Sequence, residues 1–309
     1  MKIVFLDEYS MSTCDLSALR ALGQYVAYDV TSPDQTVERC RGAEVVVTNK
    51  VVMDEAVISQ LPSLKLICVA ATGMNNVDLD AAQSHGVEVR NAVGYSTHSV
   101  AEATLASALG LLRQLSYYDR YVKSSEYSRS PRLFIFDRPM YQLHAKNWGV
   151  IGLGNIGREV ARLASSFGCK VAYASTSGVE RDEPYEQMTM EELLGWADVI
   201  SIHSPLNEST RGLIGAAEFA QMKSSAIVIN VARGGIIVED DLAAALDNET
   251  IAGAATDVYV NEPIEPTSKL LTLKDPDRLL ASTHNAWAAE ESIELLVASI
   301  VQNIRDVMM

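Results

Sequence analysis

The sequence has no cysteine pair at metal or disulfide spacing, no long apolar run and no excess of positive charge. Its four cysteines (Cys14, Cys40, Cys68, Cys169) are scattered, without a CxxC or a histidine at ligand distance along the chain. That pattern excludes a disulfide scaffold and a structural zinc site. It reads as a reduced, cytoplasmic protein in which Cys68 and Cys169 belong to the core. No segment approaches the roughly 18 uninterrupted apolar residues of a membrane span. The opening "MKIVFLDEYS" has one lysine and a short apolar run stopped by Asp7, so a first strand is expected rather than a signal peptide. Lysine and arginine number 25 against 40 acidic residues, a net charge of −15. So negative a chain argues against nucleic acid or an anionic membrane as partner. It also gives a small anionic substrate no long-range attraction, so any anion site must be built locally from placed cations and backbone N–H groups.

What is present is a regular alternation of short apolar runs with helical-period segments. The first set of runs is 2–7, 25–30, 45–49, 64–70 and 87–93. The second is 147–153, 170–175, 199–204, 226–232, 253–259 and 278–284. Such alternation predicts parallel sheets covered by helices on both faces. Eleven strands are too many for one comfortable open sheet, so two α/β domains are expected. The stretch 98–123 has helical spacing and no proline and predicts one long helix. Residues 124–147 are polar with two prolines and several aromatics, read either as a surface loop or as a subunit contact. Residues 288–308 predict a final amphipathic helix. No internal repeat, low-complexity run or flexible linker is visible.

The run "WGVIGLGNIGREVARLASSFGCKVAYAST" sets Gly152-x-Gly154-x-x-Gly157, with Asn155 and Ile156 inside it, between a strand and a helix. The first glycine permits a tight turn, the second lets the backbone approach a pyrophosphate, and the third allows helix to pack on strand. The helix N-terminus adds N–H groups and positive potential. With the strand before, the helix after and a second strand at the right distance, this predicts dinucleotide binding. One position departs from the standard pattern. An acid is expected about 20 residues on, at the end of the second strand, to accept from the ribose 2′-hydroxyl. Here Ser175 stands there, followed by Thr176 and Ser177, and the nearest arginine, Arg181, is six residues further on. NAD and NADP both stay open.

Three charged or titratable residues lie just past three consecutive expected strands: Arg233 after "AIVINVA", Glu262 in "VYVNEP" and His284 at the end of "LLASTH". Ligands of open parallel sheets bind outside the carboxyl ends of the strands. A guanidinium, a carboxylate and an imidazole gathered there suit reduction of a 2-keto acid. Arg233 would hold the carboxylate and polarise the keto oxygen. His284 would protonate that oxygen, and Glu262 would stabilise the imidazolium.

From about residue 45 to 288 the chain resembles the D-isomer-specific 2-hydroxyacid dehydrogenase family. The matching stretches are "GLGNIGREVA", "HSPLNESTRGLIG", "MKSSAIVINVARGG", "GAATDVYVNEP" and "STHNAW". "ATGMNNVD", "VTNK" and "SPRLFIFDRPMYQL" look most like its glycerate dehydrogenase / hydroxypyruvate reductase branch. The resemblance implies an α/β fold with a Rossmann-type doubly wound parallel sheet domain (101–285) and a flavodoxin-like substrate domain (1–100 and 286–309). It implies Arg233, Glu262 and His284 as the catalytic trio and a likeness to dimeric enzymes. It also puts Asp257 at the nicotinamide carboxamide, Val231 and Ala232 on the nicotinamide side, and His203 and Pro205 near the adenine–pyrophosphate path. Backbone N–H groups around Thr72 and Gly73 would bind the substrate carboxylate. Family members commonly carry a proline before the histidine where this chain has Thr283, with a small effect on geometry expected. Lys50 of "VTNK" reads first as a surface lysine, His98 as a helix-start residue, and His85 and His144, which show no partner pattern, as surface residues. The activity implied is NAD(P)-dependent interconversion of hydroxypyruvate and D-glycerate, or of glyoxylate and glycolate. D-lactate-type or phosphoglycerate-type activity, or a non-catalytic dinucleotide sensor on the same fold, are the rivals.

Overall fold

Apolar runs such as Val45–Thr48 and Leu66–Val69 are buried along their whole length. Continuous rather than alternating burial belongs to strands of a parallel sheet covered on both faces. The structure is a computed structural model describing residues 1–11, 14–179 and 182–309. The chain divides into two units, Met1–Ser96 with Ala288–Met309, and Thr97–Trp287.

The first unit holds β1 (Lys2–Phe5), β2 (Gln24–Ala27), β3 (Val45–Thr48), β4 (Leu66–Val69) and β5 (Glu88–Asn91). Their spatial order is β2-β1-β3-β4-β5 and every pairing is parallel, the flavodoxin-like arrangement. At the switch between β1 and β3, the buried Asp7 carboxylate accepts backbone N–H groups of Asn49 (2.8 Å) and Lys50 (2.6 Å) and ties the two strand ends together. Burial nevertheless raises its pKa. The helix Leu79–Ser84 starts where Asp78 accepts the Ala81 N–H at 2.9 Å, the usual N-cap solution for orphan amides. The amphipathic helix Glu290–Met308 lays Ile293, Leu296, Val297, Ile300 and Ile304 on β4 and β5.

The second unit holds β6 (Asn147–Ile151), β7 (Lys170–Ala174), β8 (Glu186–Gln187), β9 (Val199–Ile202), β10 (Ile227–Asn230), β11 (Gly253–Thr256) and β12 (Leu279–Ala281). The order β12-β11-β10-β9-β6-β7-β8, all parallel, is the doubly wound order of dinucleotide-binding sheets with one strand added. β8 was not expected; two residues are too few for any periodicity. The expected single helix 98–123 is two, Thr97–Leu112 and Leu115–Lys123, broken where Gln114 takes a left-handed backbone (φ 54°). The apolar period runs through the break, but the first helix is buried on the sheet and the second buries no residue. Among the described residues no helix is long and apolar enough to cross a membrane, and no group of three or more acidic, histidine or cysteine side chains could hold a metal.

Candidate active site

The strand register lines up the carboxyl edge of the second sheet. Ile151 stands level with Ala174 and Ile202, Ile202 with Asn230, Asn230 with Thr256, and Thr256 with Ala281. The residues that follow are therefore neighbours along one edge: Gly152, Ser175, His203, Val231, Asp257 and Ser282. Five of these six were picked out from the sequence.

At one end of the row lies the glycine turn. Gly152 has φ 90° and donates its N–H to Ala174 O at 3.0 Å, and a Cβ there would strike the Ser204 hydroxyl. A Cβ on Gly157 would collide with the Gly152 carbonyl, so helix and strand pack only without it. A Cβ on Gly154 would meet open space. That glycine opens the helix Asn155–Ser166, whose first amides receive no side-chain cap; Asn155 is exposed and Ile156 half-buried against the core. Open amides at a helix start form an anion cradle. At the end of β9, both ring nitrogens of His203 are shut off from solvent with no hydrogen-bond partner among the described residues, although the residue as a whole keeps some exposure. Burial drives the imidazole pKa down to about 3, so it is neutral at pH 7. An orphaned donor beside an open phosphate cradle fits a dinucleotide. Pro205 is exposed, its carbonyl accepting the Thr210 hydroxyl at 2.6 Å.

At the other end stand the three charged groups. Asn230, buried at the tip of β10, accepts Ala232 N–H (3.1 Å) and donates its amide to Arg233 O (3.0 Å), which shapes the turn presenting Arg233. The half-buried guanidinium donates to Ala232 O at 2.7 Å. Among the described residues no carboxylate lies within salt-bridge distance of it. Gly234 lies against the Tyr259 carbonyl so closely that no Cβ fits, bringing the Arg233 turn onto the segment that carries Glu262. Glu262 Oε1 accepts Tyr259 N–H at 3.1 Å, and Oε2 lies 2.6 Å from His284 Nδ1. The Tyr259 hydroxyl donates to Ser282 O at 2.9 Å, next to the histidine loop.

Asp257 is 3% exposed. Its Oδ1 accepts the Ser282 hydroxyl (2.6 Å) and Asn285 N–H (3.0 Å), and Oδ2 accepts Ala286 N–H (2.9 Å). The carboxylate thus grips the loop that carries His284 from both sides. His284 itself takes a left-handed backbone (φ 55°), and the Trp287 indole N–H holds its carbonyl at 2.9 Å. A cavity of about 240 Å³ opens between the helix Thr97–Leu112 and these strand ends, lined by Ala103, Val231, Thr256, Asp257, Ser282 and Ala286 among others.

Arg233, Glu262 and His284 therefore share one edge of one unit with the glycine turn. Thr72 and Gly73 lie in the first unit, where Thr72 donates to Ala92 O (3.0 Å) and accepts from Asn91. Sequence reasoning missed Asn230, Tyr259, Ser282 and Trp287, which position the three groups; only the "VINVARGG" polar step after an apolar run hinted at Asn230. Arg181 lies outside the described residues. His85 and His98 pair with Glu55 (3.0 Å) and Glu159 (3.1 Å).

The family profile for the NAD-binding domain of D-isomer-specific 2-hydroxyacid dehydrogenases matches residues 105–286. The chain is 34% identical to a hydroxypyruvate reductase of Blautia hydrogenotrophica, over 99% of this chain and 96% of that one. It is 35% identical to a glycerate dehydrogenase of Methylorubrum extorquens, over 98% and 95%. The crystal structure of the TT0316 protein from Thermus thermophilus superposes with a TM-score of 0.89 at 28% identity, covering 100% of this chain and 97% of that one.

Proposed function

The chain belongs to the D-isomer-specific 2-hydroxyacid dehydrogenases, and from that premise we propose that its preferred reaction is reduction of hydroxypyruvate to D-glycerate. It is an NAD- or NADP-dependent oxidoreductase that interconverts a small 2-keto acid and its D-2-hydroxy acid. When bound, the nicotinamide supplies or accepts the hydride exchanged at the substrate C2. The chain's own residues do the rest. The open amides at the helix start, on Gly154, Asn155 and Ile156, would hold the pyrophosphate, with Gly152 and Gly157 shaping the turn that presents them. Arg233 grips the substrate carboxylate with its planar fork and polarises the keto oxygen. Glu262, accepting from Nδ1–H, leaves Nε2 of His284 facing the substrate. That nitrogen delivers a proton to the keto oxygen in reduction and removes it in oxidation. Asp257 holds the loop on which the histidine rides.

The observation that carries this reading is a half-buried arginine with no acidic partner among the described residues, on the same strand edge as a bonded Glu–His pair and an open glycine cradle. The relatives' names favour hydroxypyruvate among the substrates. Initial rates with hydroxypyruvate, glyoxylate, pyruvate and 3-phosphohydroxypyruvate, each with NADH and NADPH, test it. Hydroxypyruvate should give the highest kcat/KM. Tight cofactor binding without turnover on any of the four would leave a dinucleotide sensor instead.

Exposed apolar side chains crowd one excursion of the second unit, with Leu133, Phe134 and Phe136 at 72%, 68% and 74% exposure. So much apolar surface on one segment favours a protein interface, and we assign it to a homodimer. Light scattering that returned a monomer at micromolar concentration would discard that assignment. The four free cysteines, with the Cys40 and Cys68 thiols pushed up to about 12 by burial, favour a reducing compartment such as the cytoplasm.

A further inference from the structure

We propose that the adenine-ribose end of this cofactor site is built for a 2′-phosphorylated dinucleotide, with Arg158 as the cation that selects it. The inference rests on the dinucleotide reading above and deepens it.

In a doubly wound sheet the carboxyl end of the second strand meets the adenine ribose. Here that strand is β7, and its end is marked by the hydrogen bond from Gly152 N–H to Ala174 O. An acid there would accept from a 2′-hydroxyl and repel a 2′-phosphate. The chain instead offers Ser175, Thr176 and Ser177. The Ser175 and Ser177 hydroxyls face each other at 3.4 Å. Thr176 donates to the Ser204 hydroxyl at 3.1 Å, and Ser204 in turn bonds Ile151 O at 3.2 Å, directly before the glycine turn. The hydroxyl run is thus anchored beside the cradle through Thr176, and Ser175 and Ser177, on releasing their long mutual contact, can each donate to a phosphate oxygen.

The cation comes from the other side. Arg158 lies in the opening turn of the helix Asn155–Ser166, one residue past Gly157. Its Nε donates to Glu183 Oε1 at 2.7 Å, on the connection between β7 and β8 that also carries the three hydroxyls. This pair does two things. It neutralises Glu183, whose side chain is largely buried, while Asp182 beside it is exposed. It also turns the guanidinium toward the connection while using only Nε. The two terminal nitrogens have no hydrogen-bond partner among the described residues, and a guanidinium edge of that kind matches phosphate oxygens. Glu183 is a positioning residue: it holds the arginine without touching the ligand.

The test isolates the 2′-phosphate from the rest of the cofactor. Calorimetric titration of the full chain with 2′,5′-ADP and with 5′-AMP should show the former binding at least about tenfold tighter, the equivalent of one charge-assisted contact. Arg158→Gln should remove most of that preference while leaving the 5′-AMP affinity within about twofold, and Ser175→Asp should invert it. Wild-type protein that binds 5′-AMP as tightly as 2′,5′-ADP overturns the proposal without any variant having to fold. Full retention of the preference in Arg158→Gln overturns the assignment of that residue. If neither nucleotide shows the preference but hydroxypyruvate is still reduced with NADH, this inference alone falls. If the chain binds neither nucleotide and turns over no keto acid, the functional reading falls with it.

Discussion

His284 Nδ1 stands 2.6 Å from Glu262 Oε2 across 22 residues of sequence. The two come from different strand ends, β11 and β12, and the sheet register makes them neighbours. With Nδ1–H given to the carboxylate, Nε2 is the ring nitrogen left for the proton transfer proposed above. His284→Ala should lower kcat by about 10²–10⁴-fold, the usual worth of a positioned acid–base group. Cofactor affinity, measured by fluorescence titration, should stay nearly constant. Equal losses in both would argue against a proton-transfer role. Glu262→Gln keeps the shape and removes the charge, and should cost less than the alanine change at His284.

Arg233→Lys keeps a positive charge but loses the fork. KM for the keto acid should rise by about ten- to a hundredfold, with a smaller change in kcat. Steady-state kinetics indistinguishable from wild type would remove Arg233 from the substrate site.

Asp257→Ala leaves the amides of Asn285 and Ala286 without their acceptor inside the protein. Denaturant unfolding should show a loss of about 2–4 kcal/mol, since hydrogen bonds to a buried charge are among the stronger ones. Turnover should fall together with stability because the histidine loop is released. A stable variant with full turnover would show that the loop needs no such grip.

His203 makes acid stability testable. Its folded pKa of about 3 lies below the ordinary 6.5, so the unfolded chain takes up a proton that the folded chain refuses. Its contribution is therefore complete above pH 6.5 and is lost as the pH falls from 6.5 toward 3, by up to about 1.4 kcal/mol per pH unit. His203→Gln should flatten the fall in melting temperature between pH 6.5 and 4.5. Parallel curves for variant and wild type would refute the assignment.

The parts legible in the sequence share one property: they repeat a local pattern. Val45–Thr48 and Leu66–Val69 announce buried strands by composition, and Gly152, Gly154 and Gly157 announce a turn by spacing. Because ligands of such sheets gather at strand ends, Arg233 and His284 could be picked out from where the apolar runs stop. What stayed hidden depends on contacts between distant residues. Nothing in "VYVNEP" says that Tyr259 fastens Glu262 and reaches Ser282. Nothing in "ARGG" says that Gly234 must be bare because the Tyr259 carbonyl lies against it. The left-handed turn at Gln114 escaped because the apolar stripe continues through it, and Asp257 was expected at the carboxamide while its grip on residues 282–286 went unforeseen.

The first unit is assembled from both ends of the chain, with the helix Glu290–Met308 lying on β4 and β5. During synthesis its five strands emerge early, but the helix that seals them arrives only after the whole of Thr97–Trp287 has been made. At ordinary elongation rates that is a wait on the order of ten seconds or more. For that interval an apolar sheet face stays uncovered, which makes the nascent N-terminal segment the part of this protein with most to gain from a chaperone.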